Sequence, residues 1–295
     1  MKYLMLLCAA TLCFVACSSE SFDFVFMTDI HVQLERNAAA GFASAIQRVN
    51  QLDPDFVITG GDLVYDALGQ NFSRADSLYD LFIDLSQKFT MPVYHTMGNH
   101  EVFGWYPESG VHADHAEYGK KMFQNRLGKG ATYRSFDYKS WHFILLDAVS
   151  LTPDRRYEGR IDSLQMDWLQ KDLQRLEPST PIVLCTHIPL VSVYGQMTHG
   201  PLYAFSAGEV VTNALELLAL FKERNLRLVL QGHFHEVEEI VYQGTRFITA
   251  GAVCGAWWQG ARDGFPEGFV NVKIKNGDVS WDYLTFGWSA ENESQ

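Results

Sequence analysis

Strands and helices alternate along the first third of the chain, and this alternation constrains the fold most. Residues 22–28, 55–59 and 92–96 are rich in β-branched and aromatic side chains, which is typical of strands. Between them, residues 37–52 and 73–89 carry apolar side chains at helical spacing. This βαβαβ order predicts a parallel sheet with crossover helices. Ligands of such sheets bind beyond the carboxyl ends of the strands.

Polar clusters follow these strands at the predicted ligand-binding edge. The clusters are Asp29-x-His31, Gly61-Asp62 and Gly98-Asn99-His100-Glu101, and then Thr186-His187 and Gly232-His233-x-His235 further along. Imidazole, carboxylate and amide oxygen are ligands of divalent metals. Each cluster alone is a weak signal, since an isolated Asp-x-His is usually a solvated loop. Five clusters at strand ends together predict two metal ions bound at one end of a sheet.

The second half of the chain has more hairpin character. Strands are predicted at 132–137, 141–147, 182–185 and 227–230, with helices at 162–176 and 209–224. Two β pairs close the chain, over 239–250 and 269–286, and the second turns at Asn276-Gly277. Asn-Gly between strands is a strong hairpin signal. The sequence therefore predicts an α/β fold throughout.

Composition indicates one compact domain. The chain has 295 residues, of which 47% are hydrophobic and 20% charged, values typical of globular proteins. We assign the domain to residues 23–288 and a polar tail to 289–295. The net charge of −12 argues against a protein that coats nucleic acid, which would present a basic face.

The N-terminus has the pattern of an exported lipoprotein. Lys2 precedes an apolar stretch over residues 3–16, and Cys17 is followed by serines. The stretch is short for a membrane-spanning helix and suits a signal peptide over residues 1–16. We expect lipidation of Cys17, a short tether over 17–22, and a membrane-anchored location on the periplasmic or cell-surface side. Cleavage without lipidation is the alternative.

The five clusters, in this order, resemble the D-x-H, G-D, G-N-H-D/E, H and G-H-x-H pattern of calcineurin-like metallophosphoesterases. The resemblance covers residues 22–286 and implies a four-layer α/β/β/α sandwich with a dinuclear centre. It implies that the first metal is bound by Asp29, His31, Asp62 and His235. It implies that the second is bound by Asp62, Asn99, His187 and His233. Manganese, iron and zinc all occur in the family, and the sequence does not choose among them.

The same resemblance implies hydrolysis of a small phosphate ester, either a phosphodiester or a phosphomonoester. A hydroxide that bridges the two metals attacks phosphorus, and His100 contacts the phosphoryl group or the leaving oxygen. Two alternatives remain open on the same fold: a non-catalytic lipoprotein that serves as a binding module, and a protein phosphatase.

One position departs from the family pattern. Many relatives carry an aspartate three residues after the Gly-Asp aspartate, where it orients the catalytic histidine, but this chain has Tyr65 there. The Gly-Asp-x-x-Tyr sequence resembles purple acid phosphatases, whose tyrosine binds iron. Those enzymes lack the histidine equivalent to His31, so we expect Tyr65 to lie in the core or beside the ligands. Asp66 and Glu101 are both candidates to orient His100.

Several further residues have two interpretations each. His199 could contact substrate or be a plain loop histidine. Trp257 and Trp258, in a glycine-rich stretch, could form an aromatic wall for the leaving group or pack against the edge of the sandwich. Cys185 and Cys254 lie in apolar stretches and are expected to be buried thiols, with a disulfide as the alternative.

Overall fold

The computed structural model describes residues 21–290. The signal peptide, Cys17, most of the tether and the last five residues of the tail lie outside the described residues, so these predictions stay predictions. Within the described range, no helix is both long and apolar enough to cross a membrane.

Thirteen strands and six α-helices form within residues 21–290. The strands are β1 (Ser21–Met27), β2 (Phe56–Thr59), β3 (Val93–His95), β4 (Arg134–Tyr138), β5 (Trp141–Leu145), β6 (Val149–Leu151), β7 (Tyr157–Gly159), β8 (Pro181–Cys185), β9 (Asn225–Gln231), β10 (Glu238–Tyr242), β11 (Thr245–Thr249), β12 (Gly268–Lys275) and β13 (Asp278–Thr285). The helices are α1 (Ala38–Leu52), α2 (Phe72–Ser86), α3 (Lys121–Arg126), α4 (Ser163–Gln174), α5 (Tyr194–His199) and α6 (Ala214–Ala219), with a 3-10 turn at Pro107–Ser109.

Two sheets contain most of the strands. The first has the order β13-β12-β1-β2-β3, and the second has the order β10-β11-β9-β8-β5-β4. In the first sheet β1, β2 and β3 run parallel, as the βαβαβ pattern predicts, while β12 pairs antiparallel with β1. In the second sheet β5, β8, β9 and β11 are parallel. A separate hairpin, β6–β7, was not predicted.

Alternating side chains of β1 show how the sheets pack. Phe22, Phe24 and Phe26 join a buried cluster with Phe143 and Leu230 of the second sheet. The intervening side chains of Val25 and Met27 join a different cluster with the apolar faces of α1 and α2. Because successive strand residues point to opposite faces, each sheet has one face against the other sheet and one against helices. The α/β/β/α sandwich is therefore confirmed.

The helix predicted at 209–224 is wrong at both ends, since only Ala214–Ala219 is helical. Residues 220–224 form turns and a bend. Val211 forms a parallel bridge with Gly159, and the backbone N–H of Thr212 donates to the Gly159 carbonyl at 2.7 Å. Pairing with the unpredicted β7 strand holds Val211 in a bridge with turns and a bend on either side, so a tertiary contact overrides local helix propensity.

The other sequence expectations for the fold are met at the level of elements. Asn276 and Gly277 both have positive φ, of 54° and 83°, and connect β12 to β13 as the Asn-Gly signal predicts. Cys185 and Cys254 are buried free thiols, so the disulfide alternative is wrong.

Candidate metal centre

The polar clusters converge at the carboxyl ends of the strands. Asp29 and His31 follow β1, Asp62 follows β2, and Asn99 follows β3. His187 follows β8 of the second sheet, and His233 and His235 follow β9. The two packed sheets thus contribute ligands to a single site at the carboxyl ends of their strands.

The imidazole and carboxylate atoms lie within a few ångströms of one another. His31 Nε2 is 3.1 Å from His235 Nε2 and 3.5 Å from Asp62 Oδ2. His235 Nε2 is 3.3 Å from Asp29 Oδ1. On the other side, His187 Nε2 is 3.1 Å from Asp62 Oδ2. Asp62 therefore lies between the two groups of histidines.

The second nitrogen of each of three rings is engaged by a backbone carbonyl. Nδ1 of His187 lies 2.9 Å from the Gly60 oxygen, and Nδ1 of His235 lies 2.7 Å from the Gly255 oxygen. Nδ1 of His31 is 3.3 Å from the Tyr65 oxygen. Because a carbonyl only accepts, each Nδ1 carries a proton, so the neutral form of each ring presents its Nε2 lone pair to the centre. Metal-binding histidines are oriented in this way.

Two buried polar atoms at the centre have no hydrogen-bond partner. They are Asn99 Oδ1 and His187 Nε2. Buried polar atoms are nearly always satisfied, so two unsatisfied atoms among the predicted metal ligands call for a ligand. Asp62, His187 and His233 offer atoms within 4.8 Å of one another, as do His31, Asp62 and His100. The residues present fit metal ions in number, chemical type and placement.

Five of the seven predicted ligands adopt left-handed backbone conformations. They are Asp29, His31, Asp62, His233 and His235, with φ between 43° and 77°. Such conformations disfavour residues with a side chain and cost about 1–3 kcal/mol each. The cost persists only where the surrounding structure holds the backbone, and it is typical of functional sites.

Two motif glycines leave room for the ligands. A Cβ at Gly98 would lie 2.3 Å from Asp62 Oδ1, and a Cβ at Gly61 would lie 2.7 Å from the His187 ring. Gly61 also has φ of +94°, which side-chain-bearing residues rarely adopt. Glycine is therefore needed at both positions for the loops to approach each other.

Glu101 joins two ligand loops through backbone N–H groups. Its Oε2 accepts from Asp62 N at 2.9 Å and from Gly98 N at 2.7 Å. Its Oε1 accepts from Leu63 N at 2.7 Å and Val64 N at 3.2 Å. Burial and the nearby Asp62 charge raise the pKa of Glu101 to about 7, while the backbone N–H groups oppose that rise. Glu101 thus positions the loops and does not contact the His100 ring.

Burial and neighbouring charges also shift the pKa values of the histidine ligands in the metal-free protein. Burial alone would lower the pKa of His187, but the Asp62 carboxylate raises it to about 9. Burial and the neighbouring His187 lower the pKa of His233 to about 4. Burial and the His100 charge keep the pKa of His31 well below its usual value. Near neutral pH in the metal-free protein, His187 is therefore charged and His233 is neutral.

His100 lies at the edge of the centre and is partly exposed. Its Nδ1 is 2.5 Å from the Tyr65 carbonyl oxygen, whereas Asp66 Oδ1 is 3.9 Å away. Its Nε2 faces Asp62 Oδ2 at 3.8 Å. A backbone carbonyl therefore orients His100. Neither of the two predicted candidates, Asp66 and Glu101, does so. Asp66 instead accepts from Leu68 N and Gly69 N.

The remaining predicted residues differ in their burial and in their contacts with the metal centre. Tyr65 is 36% exposed, so the prediction that it could lie in the core is wrong. Its contact with the centre is made by its backbone carbonyl. His199 is the exposed last residue of α5, not a loop residue as predicted, and its ring stacks on Tyr203. Trp257 is half-buried, with its ring 4.9 Å from the His235 ring. Trp258 is fully buried, and its indole N–H donates to the carbonyls of Ile30 and His31.

Two residues at the centre escaped prediction. The Thr28 hydroxyl donates to Asp29 Oδ2 at 2.8 Å and so orients that carboxylate. The Arg262 guanidinium lies 4.8 Å from the centroid of the Trp257 ring. Thr28 adjoins the first cluster and could have been considered on that ground, whereas no sequence signal connects Arg262 to the centre.

The profile of the family described as calcineurin-like phosphoesterase matches residues 22–237, most of the chain. The chain belongs to the calcineurin-like phosphoesterase family. The prediction of a metal-dependent phosphoesterase is thereby confirmed. Every ligand position of the family pattern is filled in this phosphoesterase by a residue able to bind metal.

Similar sequences are named as phosphodiesterases. The chain is 25% identical over 262 residues to a probable cyclic nucleotide phosphodiesterase of Synechococcus, covering 86% of this chain and 88% of that one. It is 25% identical to a 3',5'-cyclic-nucleotide phosphodiesterase of Nostoc, with 71% and 70% covered. It is 24% identical to a 3',5'-cyclic adenosine monophosphate phosphodiesterase of Haemophilus influenzae, with 74% and 69% covered.

Solved structures share the fold at lower identity. A dimetal phosphatase from Danio rerio matches with a TM-score of 0.60 and 15% identity, over 90% of this chain and 99% of that one. A purple acid phosphatase from yellow lupin seeds matches with a TM-score of 0.61 and 17% identity, over 92% and 53%. At these identities the likeness supports the fold alone.

Proposed function

We propose that this phosphoesterase hydrolyses small phosphodiesters at a two-metal centre. The observation that carries the proposal is the convergence of lone pairs: Nε2 atoms of His31, His187 and His235 face Asp62 and Asp29 while their Nδ1 atoms donate to carbonyls. Two metal ions placed between these nitrogen and carboxylate atoms would be bound by all of them at once.

The metals would be held as two groups that share Asp62. Asp29, His31 and His235 are placed for the first, and Asn99, His187 and His233 for the second. When bound, such ions polarise the phosphoryl group and supply a nucleophile at neutral pH. Manganese, iron and zinc all suit these imidazole and oxygen ligands.

His100 is placed to assist the leaving group. Because Nδ1 donates to the Tyr65 carbonyl, the ring is fixed with Nε2 toward the centre. A proton at Nε2 would stabilise negative charge that develops on the leaving oxygen, and positioned acids of this kind contribute about 10²–10⁴-fold.

Two observations favour a diester over a monoester. The relatives described above are named as phosphodiesterases. Among residues 21–290, Asp29 and Asp62 form ion pairs with histidines and with no lysine or arginine. A phosphodiester has one negative charge near neutral pH and a monoester has closer to two. A diester therefore needs fewer positively charged groups at its binding site.

A substrate panel tests the proposal. The purified chain is loaded with Mn²⁺, Fe²⁺ or Zn²⁺, and hydrolysis of bis(p-nitrophenyl) phosphate is compared with that of p-nitrophenyl phosphate. We expect the diester to be preferred and His100→Ala to lower kcat by about 10²–10⁴-fold. His112→Ala, at an exposed position, is the matched control. Failure to hydrolyse either compound with any metal would sink the enzyme proposal and favour the binding-module alternative.

Export and lipid anchoring belong to the same proposal. The pattern around Lys2 and Cys17 supports a membrane-anchored lipoprotein whose catalytic domain lies outside the cytoplasm. Cys17→Ala should release the protein from the membrane fraction of its host. Membrane association that persists unchanged in this variant would contradict lipidation.

A further inference from the structure

Trp257 and Trp258 are adjacent in sequence but have opposite environments. Both adopt positive φ, of 51° and 66°, which is unfavourable for bulky side chains. For Trp258 the surroundings explain the conformation, because the ring is 2% exposed and its N–H donates at 3.0 and 3.1 Å to two carbonyls. Trp258 anchors the loop to the segment that contains His31.

Trp257 has no comparable anchor. Its ring is half-buried, and within residues 21–290 its indole N–H makes no hydrogen bond. The conformation instead holds the ring beside two metal-site histidines, with centroids 4.9 Å from His235 and 6.1 Å from His31. A partly exposed aromatic ring with a free donor, held in a strained conformation beside the centre, is arranged for something outside the protein.

Arg262 adds a cationic plane to this surface. Its guanidinium carbon lies 4.8 Å from the Trp257 ring centroid, and its Nε is 3.8 Å from Asp263 Oδ2. Asp263 in turn accepts from the Tyr194 hydroxyl at 2.9 Å. The Arg262 backbone is also fixed, since its N–H and carbonyl both pair with Phe265. The Arg262 guanidinium and the Trp257 ring therefore form one continuous cationic and aromatic surface.

We infer that Trp257 and Arg262 form a subsite for a planar aromatic group, such as a nucleobase or an aryl ring, joined to the phosphate that the metals bind. This inference rests on the proposed function and adds the class of substrate to it. Aromatic and guanidinium planes together are surfaces on which planar rings stack, largely without regard to the identity of the ring. An aliphatic ester would gain little from either plane.

Binding measurements test the subsite without depending on turnover. The probes are adenosine 5'-monophosphate and ribose 5-phosphate, which share a phosphate and a sugar and differ by the base. Each is titrated calorimetrically into the Mn²⁺-loaded protein. We expect the nucleotide to bind about 10-fold more tightly in the wild type. We expect that ratio to fall below about 2-fold in Trp257→Leu and to be largely kept in Trp257→Phe.

The outcomes separate the subsite from the proposed function. A wild-type ratio near one, or a ratio that Trp257→Leu leaves unchanged, would overturn the subsite even if diesters are hydrolysed. Selective binding with no hydrolysis under any metal would support the subsite and overturn the hydrolase proposal. Thermal melting of Trp257→Leu verifies that the variant is folded, and Arg262→Gln offers a second variant, expected to lower the ratio in the same direction.

Discussion

His31 Nε2 lies 3.1 Å from His235 Nε2, and each ring engages a backbone carbonyl through Nδ1. When both rings are neutral, their Nε2 lone pairs face each other in a buried space, and a cation between them would turn this repulsion into attraction.

Metal binding should stabilise the fold. Because ions would bind the assembled ligands and not the unfolded chain, a metal at 100 times its Kd should add about 2.7 kcal/mol to the free energy of unfolding. We expect the melting temperature to rise with added Mn²⁺ and fall with a chelator, as measured by thermal unfolding. Asp62→Asn should blunt the response. An equal rise in wild type and Asp62→Asn would show that the stabilising ions bind elsewhere.

Loss of metal should also expose a pH dependence due to His187. Its pKa is about 9 in the metal-free folded protein, against 6.5 for an ordinary histidine. A raised pKa stabilises the folded state fully below pH 6.5, and that contribution is lost as the pH rises through 9. The difference corresponds to about 3 kcal/mol. Urea unfolding in the presence of a chelator at pH 6 and pH 9.5 measures it, and His187→Gln should remove most of the slope.

Glu101→Gln should disrupt the hydrogen bonds that connect the ligand loops. The amide would place an N–H₂ group against backbone N–H groups that the carboxylate now accepts. Leaving such buried donors unsatisfied predicts a loss of about 2–4 kcal/mol in the free energy of unfolding, together with weaker metal binding. Denaturant titration and metal titration measure the two effects. Glu108→Gln, at an exposed position, should change stability by less than about 0.5 kcal/mol.

Gly98→Ala tests whether the loops need their close approach. The new Cβ would lie 2.3 Å from Asp62 Oδ1, so either the carboxylate or the loop must move. We expect a loss of hydrolysis of at least about 100-fold, because a displacement of about 1 Å at a catalytic centre can have that effect. At Gly69 the nearest atoms would be 3.5 Å or more from a new Cβ, and Gly69→Ala should retain activity. Equal activity of the two variants would contradict the geometric argument.

Asp66→Asn and Tyr65→Phe should have little effect on the rate. His100 is oriented by the Tyr65 carbonyl, and neither substitution removes that oxygen. We expect kcat to fall by less than about 3-fold in each variant, because positioning through a main-chain carbonyl survives side-chain changes. A fall of 100-fold or more in Asp66→Asn would show that the carboxylate reaches His100 during the reaction.

Much of the centre could be predicted from the sequence, and for a physical reason. The strands that precede Asp29, Asp62 and Asn99 are parallel neighbours, so their carboxyl ends meet at one edge of the sheet. Strand order and local residue types are sufficient to place those ligands together. The same logic brings His187 and His233 from the parallel strands β8 and β9.

Features that depend on tertiary contacts escaped prediction. The segment before α6 has helical composition, yet its pairing with Gly159 holds it in turns around a single bridge residue. The role of Glu101 depends on loops that are distant in sequence meeting around one carboxylate. Trp257 and Trp258 have the same local sequence context, and only packing separates the anchored ring from the one beside the metals. Local patterns carry no information about such contacts.

The most direct test of the account measures diester hydrolysis as a function of the metal ions bound per chain. Metal-free protein is titrated with Mn²⁺, bound metal is measured by elemental analysis, and turnover of bis(p-nitrophenyl) phosphate is followed in each sample. We predict little activity up to one ion per chain, a steep rise between one and two, and little activity at any loading in Asp62→Asn. Full activity at one ion per chain, or none at two, would contradict a catalytic centre in which two metals share Asp62.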